Sequence, residues 1–158
     1  MNQNINEFTQ RKVGLADSRL LFHWKNDPIV RRASFWQNII RFKDHIEWLK
    51  AVLNNPNILI YILERNSIPV GMYRLELIKE TATINISVDS KFRGQGVGKK
   101  IIGQIILTAK NVGIKKLIAE VKMDNLPSNK LFLAFGFYKV KEDVKNGSPY
   151  SRYEFNVK

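Results

Sequence analysis

The spacing of apolar positions changes along this chain, and the changes divide it into helices and strands. A short strand is predicted from Lys12 to Leu15. Asp17 then stands where a helix cap is expected, ahead of Leu20, Leu21 and Trp24. Pro28 disfavours helical geometry at Asp27, so that helix is expected to stop near Asn26. From Lys43 to Leu53, residues His45, Ile46, Trp48, Leu49, Val52 and Leu53 recur at helical spacing, and Asn54-Asn55-Pro56-Asn57 ends the run. The period then falls to that of extended chain. Ile58 to Glu64, Val70 to Ile78 and Thr83 to Val88 read as an antiparallel meander with turns at Arg65-Asn66-Ser67 and Lys79-Glu80.

Helical spacing returns from Gly96 to Val112, with Val97, Ile101, Ile102, Ile105, Ile106 and Ala109 on one side and Gly113 as the stop. Leu117 to Val121 reads as a strand, and Pro127 suits the first turn of a helix carrying Leu131, Phe132 and Phe135. Phe137 to Val140 and Tyr150 to Phe155 form a closing hairpin-like pair. Strands in the middle and βαβ units towards the end predict a mixed α/β (α+β) fold, with helices flanking a central sheet. No repeat or linker-like tract marks a boundary, so residues 1–158 are expected to form one domain.

Composition narrows the function. The chain is 44% hydrophobic and 25% charged, and its longest apolar runs are too short for a membrane span. The start, Met1 to Glu7, has neither the basic residues nor the apolar stretch of a secretory signal. Without cysteine there is no disulfide, thiol nucleophile or thiolate metal site, and a cytoplasmic location is expected. A formal charge of +12 favours anionic partners. The aromatics are not spaced as exposed strand pairs of an RNA-stacking sheet, so no nucleic-acid partner is expected.

The strand Thr83 to Val88 runs into Asp89-Ser90-Lys91-Phe92-Arg93-Gly94-Gln95-Gly96-Val97-Gly98-Lys99-Lys100 and then a helix. That layout binds anions: glycines admit a phosphate closely, first-turn N–H groups lack intrahelical partners, and the helix dipole adds about half a positive charge. A P-loop would need glycine at 93 and Ser or Thr at 100; a dinucleotide fingerprint would need Gly or Ala at 99, where Lys99 stands. What matches is Arg/Gln-x-x-Gly-x-Gly/Ala, carried by Arg93, Gly96 and Gly98.

This resembles the acetyl-CoA signature of the GNAT N-acetyltransferases, and the similarity extends over residues 58–140. Leu117 to Asn125, then Ser128-Asn129-Lys130-Leu131-Phe132 and Phe135-Gly136-Phe137, look like the family's fifth strand and following helix. The resemblance implies a mixed sheet splayed between strands 4 and 5, acetyl-CoA as co-substrate and no metal. It implies cofactor contacts at Ile86, Ser87 and Val88 for the pantetheine arm and at Arg93, Gly94, Gln95, Gly96, Val97, Gly98 and Lys99 for the pyrophosphate. Asn125, Asn129, Lys130 and Phe132 would line the other side. An amine would attack the thioester directly, with a main-chain N–H near Val88 as carbonyl donor and Glu120 or Glu76 as base. Phe132 stands where many relatives carry a proton-donating tyrosine; Tyr138, Tyr150, Tyr153 or water would have to replace it. His23 and His45, among apolar helix residues, are expected to pack.

The stretch Trp24-Lys25-Asn26-Asp27-Pro28-Ile29-Val30-Arg31, followed by His45-Ile46-Glu47-Trp48-Leu49, is similar to acetyltransferases of UDP-4-amino-4,6-dideoxy sugars, the pseudaminic acid pathway type, and to a broader group acting on ribosomal protein N-termini. The first implies a nucleotide-sugar acceptor touching Trp24, Lys25, Arg31, Phe35 and Trp48. The alternatives are a protein N-terminal acetyltransferase and a noncatalytic acyl-CoA sensor. Exposed aromatics or an exchanged final strand would permit a homodimer.

Overall fold

A computed structural model describes residues 7–158; the opening Met1 to Asn6 of the expected signal-free start lies outside them. Seven strands form one mixed sheet in the order β1-β2-β3-β4-β5-β7-β6. The meander is β2 (Ile58–Arg65), β3 (Ile68–Ile78) and β4 (Thr81–Val88), antiparallel throughout, with β1 (Phe8–Lys12) on its outer edge. On the other side β5 (Lys116–Lys122) is followed by the hairpin β6 (Tyr138–Lys145) and β7 (Ser148–Asn156), with β7 inserted between β5 and β6. Among the described residues one parallel contact joins the halves: β4 meets β5 only at Thr81, Ala82 and Thr83, opposite Lys116, Leu117 and Ile118. Beyond Thr83 the two strands part, and the expected splay between strands 4 and 5 is present.

Strand alternation gives the sheet two different faces. On one, Tyr73, Leu75, Ala82, Ile84, Leu117 and Ala119 bury against α4 (Val97–Asn111) and α5 (Leu126–Ala134). Ile101, Ile102 and Ile105 of α4 are wholly buried there. A closed polar ring fixes α4 to the sheet. Tyr73 Oη donates to Gln10 Oε1 at 2.7 Å, Gln10 Nε2 donates to Thr108 Oγ1 at 3.2 Å, and Thr108 therefore donates its hydroxyl hydrogen to Tyr73 Oη at 2.8 Å. Burial pushes the Tyr73 phenol up to about 12. On the opposite face Ile60, Ile62 and Met72 pack against Leu21 and Trp24 of α1 (Ser18–Asn26) and Leu49 and Val52 of α3 (Phe42–Leu53).

Four elements differ from the apolar pattern. The first strand lies earlier than Lys12 to Leu15, because Asp17 turns back to accept the Gly14 N–H at 2.9 Å and folds Leu15–Asp17 into a 3-10 turn. Asp17 therefore braces that turn and pairs with Arg11 rather than capping α1 with its side chain. Asp27 and Pro28 end α1 as expected, but they also begin α2 (Pro28–Ala33), since an extended residue before proline is a good N-cap; its carboxylate accepts from Ile29 and Val30 N–H. The closing hairpin is longer than predicted, because the left-handed pair Asn146 (φ 48°) and Gly147 (φ 76°) makes a two-residue turn. Strand β6, an edge, is almost entirely exposed and carries alternating charges that discourage pairing with other strands.

Gly71 marks the tightest contact between the meander and α4. A Cβ there would lie 2.7 Å from the Ser87 carbonyl oxygen and 2.9 Å from Ile101 Cδ1. Gly71→Ala is expected to destabilise the fold by about 1–3 kcal/mol through overpacking, read as a lower midpoint of denaturant unfolding; an unchanged midpoint would show that β3 and α4 separate freely.

Candidate active site

The parting of β4 from β5 opens a cavity of about 700 Å³ at the C-terminal end of β4. The loop after β4 forms one wall. Asp89 fixes its start, accepting Lys91 N–H at 2.8 Å with one oxygen and Trp24 Nε1–H at 2.8 Å with the other. Gly94 (φ 75°) and Gly96 (φ 81°) take the left-handed region, which favours glycine. Gly96 is the N-cap of α4 and has no side chain to occupy the first-turn amides. Gly98 brings α4 against α5: a Cβ there would lie 3.0 Å from Leu131 Cδ2. Gly94, Gly96, Val97 and Gly98 all face the cavity, with Ile86, Ser87 and Val88 from β4 and Asn125, Leu131 and Phe132 opposite. Bare amides at a helix N-terminus, beside a strand edge without a partner strand, form a cradle for an extended ligand carrying a pyrophosphate.

Other residues of that set have other duties. Arg93 lines the cavity, but its guanidinium donates to Asp27 Oδ1 at 3.0 Å and the Val88 carbonyl at 3.2 Å, locking the loop to α2. Burial opposes the Asp27 charge, yet hydrogen bonds from Arg93, Val30 and Ile29 leave its pKa below the usual carboxylate range. Gln95 turns away, between Arg65 and the Lys91 carbonyl. Lys99 projects to a second depression on the outer side of α4, with Phe8, Arg65 and Lys100. Asn129 acts as a clamp behind the wall: its amide donates to the Lys122 and Asn125 carbonyls, and its oxygen accepts the Tyr153 hydroxyl at 2.6 Å. Lys130 is exposed. Phe132 is 6% exposed, edge-on to Phe137 and stacked on Tyr153.

The acetyltransferase (GNAT) family model matches residues 21–137, spanning both walls of this cavity. The chain belongs to the GNAT family. The acetyltransferase domain uses acetyl-CoA, which the glycine cradle and the splayed strand edge fit. An uncharacterized protein of Methanocaldococcus jannaschii, MJ1062, is 27% identical over 140 residues, 86% of this chain but 29% of its own length. The [ribosomal protein bS18]-alanine N-acetyltransferase of Haemophilus ducreyi is 28% identical over 99 residues, 60% of this chain and 68% of that protein. In fold, the chain superposes on the spermidine N-acetyltransferase of Vibrio cholerae, solved with CoA and spermine, with a TM-score of 0.87 at 16% identity over 95% of each chain.

The far half of the acetyltransferase's cavity is walled by α2, the α2–α3 loop and the exposed alternation of β3 and β4. Lys25, Arg31, Ser34, Trp36, Asn38, Arg74 and Asn85 reach it. Arg74 and Asn85 are absent from the residues that the sequence singles out. Their signal was alternation, since 72, 74 and 76 share one face of β3 and meet 83, 85 and 87 of β4. Among the residues expected at the acceptor, Lys25 and Arg31 line the cavity. Trp48 lies beneath Lys25, whose Nζ is 2.9 Å from its ring centroid. Trp24 is buried in the core with its indole on Asp89. Phe35 is half-buried, edge-on to Tyr150 and under Lys145.

Neither candidate base lines the cavity. Glu120 projects from β5 on the side of Lys122 and pairs with Lys145 at 2.8 Å. Glu76 is half-exposed on β3 and pairs with Arg74 at 3.0 Å. His23 is exposed, whereas His45 is buried, its Nε2–H donated to the Ser18 carbonyl at 2.9 Å and its Nδ1 without a partner. Burial and nearby Lys25 hold the His45 pKa below its ordinary value. The described residues include no group of three or more potential metal ligands, and no helix long and apolar enough to cross a membrane.

Lys25 is the most perturbed group at the cavity. Burial and then Arg74 push its pKa down from 10.5 to about 7, against the pull of Glu76. Between those values the unfolded chain holds a proton that the folded chain has released, so this group's contribution to stability rises with pH; below about 7 the fold bears the full cost of the buried charge. Lys25→Met is therefore expected to raise the thermal midpoint most below pH 7, on the order of 5 °C, with the gain shrinking towards pH 10.5. Arg74, Glu76 and His45 face Lys25, so the same scans on Glu76→Gln separate their contribution. A gain independent of pH would contradict the burial cost.

Proposed function

We propose that the protein transfers acetyl from acetyl-CoA to the primary amine of a small anionic acceptor, the 4-amino group of a UDP-4-amino-4,6-dideoxy sugar, in the cytoplasm. The observation that carries this reading is the division of one cavity into two chemically distinct halves. One half has bare helix amides and an open strand edge; the other has basic and polar side chains around aromatic surface.

Acetyl-CoA supplies the activated acyl group. The chain's own residues hold, orient and deprotonate. The first-turn amides of α4 neutralise phosphate charge, and the parted edge of β4 offers main-chain groups along the cavity wall. A main-chain N–H near Val88 would polarise the thioester carbonyl, a reading supported by the position of Val88 at the end of β4, where it lines the cavity. Holding the amine beside that point supplies most of the rate through proximity. The proton leaves through water to Glu120, with Glu76 as the other candidate; each carboxylate is paired with a cation, Lys145 and Arg74 respectively, and neither lines the cavity.

The Haemophilus relative is named for an alanine of ribosomal protein bS18; a basic protein N-terminus would meet Lys25, Arg31 and Arg74 in this half, a repulsive environment. The same cations suit the diphosphate of a nucleotide sugar.

Release of free CoA thiol from acetyl-CoA is expected with a UDP-4-amino-4,6-dideoxyhexose and not with a basic N-terminal peptide. Glu120→Gln is expected to lower kcat by about 100-fold, the lower end for a lost general base, with KM for acetyl-CoA unchanged. Turnover of the peptide alone would replace the acceptor assignment. Turnover of neither by a protein that binds acetyl-CoA would remove it.

A further inference from the structure

The acceptor half contains two cations set against one aromatic face. Lys25, from α1, places Nζ 2.9 Å from the Trp48 ring centroid, and Arg74, from β3, places its guanidinium carbon 5.4 Å from the same centroid. Trp48 is held from behind by His45, stacked at 5.6 Å. Both cations line the cavity, with Met72, Asn85 and Ser87 beside them. A neighbouring carboxylate, Glu76, is 52% exposed and 3.0 Å from Arg74, whose own side chain is 17% exposed. Arg74 Nε is buried without a hydrogen-bond partner.

Two like charges at one buried wall repel each other, and packing alone gives no reason to keep both. The cation–π contacts offset part of that cost. The rest is unbalanced positive charge facing an open cavity, the arrangement that binds an anion. A planar guanidinium and a compact ammonium at one spot suit the spread oxygens of a phosphate or carboxylate. Arg31 and Asn85 line the same half and extend the polar surface around it.

From this arrangement we infer that Lys25 and Arg74, braced on Trp48, form an oxyanion subsite that fixes the acceptor by a phosphate or carboxylate carried apart from its reacting amine. The inference rests on the reading of this half-cavity as the acceptor site, and it names the class of acceptor whichever amine is acetylated. It also excludes a class. A polyamine presents only positive charge, so the fold shared with the Vibrio cholerae spermidine enzyme does not bring its substrate here. The arriving anion favours the ammonium form of Lys25, whose proton is loosely held in the empty cavity.

The test is binding measured separately from turnover. The protein is first saturated with CoA, so that the glycine loop cannot take the probe. It is then titrated with inorganic pyrophosphate in one arm and succinate in the other, following the Trp48 indole N–H by NMR and the heat by calorimetry. Binding of at least one probe is expected, shifting the Trp48 resonance and weakening at least tenfold in Arg74→Gln and in Lys25→Met, while CoA affinity stays within twofold. Preference for pyrophosphate assigns a phosphorylated acceptor; preference for succinate assigns an amino acid or similar carboxylate. Retained CoA binding and a single cooperative unfolding transition show that a variant is folded. Absence of binding in both arms, equal binding by the variants, or turnover of spermidine at a rate matching an anionic amine would each overturn the inference. Probe binding at Trp48 without turnover of the UDP-amino sugar would sink the sugar assignment and leave the subsite standing.

Discussion

Strands β4 and β5 run together for three residues and then separate, and the functional end of the molecule depends on that separation. Each strand is secured on its other side: β4 pairs with β3 from Thr81 to Val88, and β5 pairs with β7 along its whole length. The sheet therefore stays intact while an opening forms inside it. Main-chain groups of residues 84–88 that would face β5 have no strand partner there; Arg93 takes the Val88 carbonyl, and the others are left to a ligand or water. Helix α4 starts where β4 ends, so its free N-terminal amides face the same opening. The cradle needs no charged side chain to exist. Arg93, the most obvious candidate in the loop, spends its guanidinium on holding α2 against the end of β4.

That bond ties the halves of the cavity together. Asp27 caps α2, ends α1 and accepts Arg93, while Asp89 fixes the glycine loop and accepts Trp24 from α1. Two short acidic side chains thus set the distance between the cofactor wall and the acceptor wall. Further back, Lys122 of β5 donates to the Arg32 carbonyl at 2.9 Å and Asn146, in the β6–β7 turn, donates to the Phe35 carbonyl, so β5 and the closing hairpin also hold the segment from α2 to Phe35. Lys25 and Arg74 run against this stabilising pattern. Locally unfavourable charge at a cavity is the kind of conflict that folds retain where a ligand resolves it.

The glycine loop was legible in the sequence because its geometry is local. Glycine spacing, the preceding strand and the following helix all lie within about twenty residues, and backbone conformation follows from residue type. The meander and the apolar stripes of α3 and α4 were legible for the same reason. Helix α2 was not, since Asp27-Pro28 is as good a start as a stop, and six residues show too little periodicity to decide. The ends of the closing hairpin were hidden by the polar composition of an edge strand, although Asn146-Gly147 marked the turn. Roles that depend on distant pairing left no local trace. Glu120 meets Lys145 only because β7 carries β6 alongside β5, and Arg74 joins Lys25 only because α1 packs over β3.

Position 132 bears on the leaving thiolate. Phe132 lines the cavity and offers no proton, so its ring serves as an apolar wall. Tyr153 lies against it, but the hydroxyl hydrogen of Tyr153 is already given to Asn129, which in turn secures the Lys122 and Asn125 carbonyls at the start of α5. Withdrawing that proton would loosen the clamp that shapes the wall. Tyr138 is exposed on β6 and accepts from Asn156, while Tyr150 packs edge-on to Phe35. The residues that could replace a tyrosine at 132 are therefore engaged in structure. In the proposed reaction the leaving thiolate therefore takes its proton from water, and neither Glu120 nor Glu76 lines the cavity that would receive it.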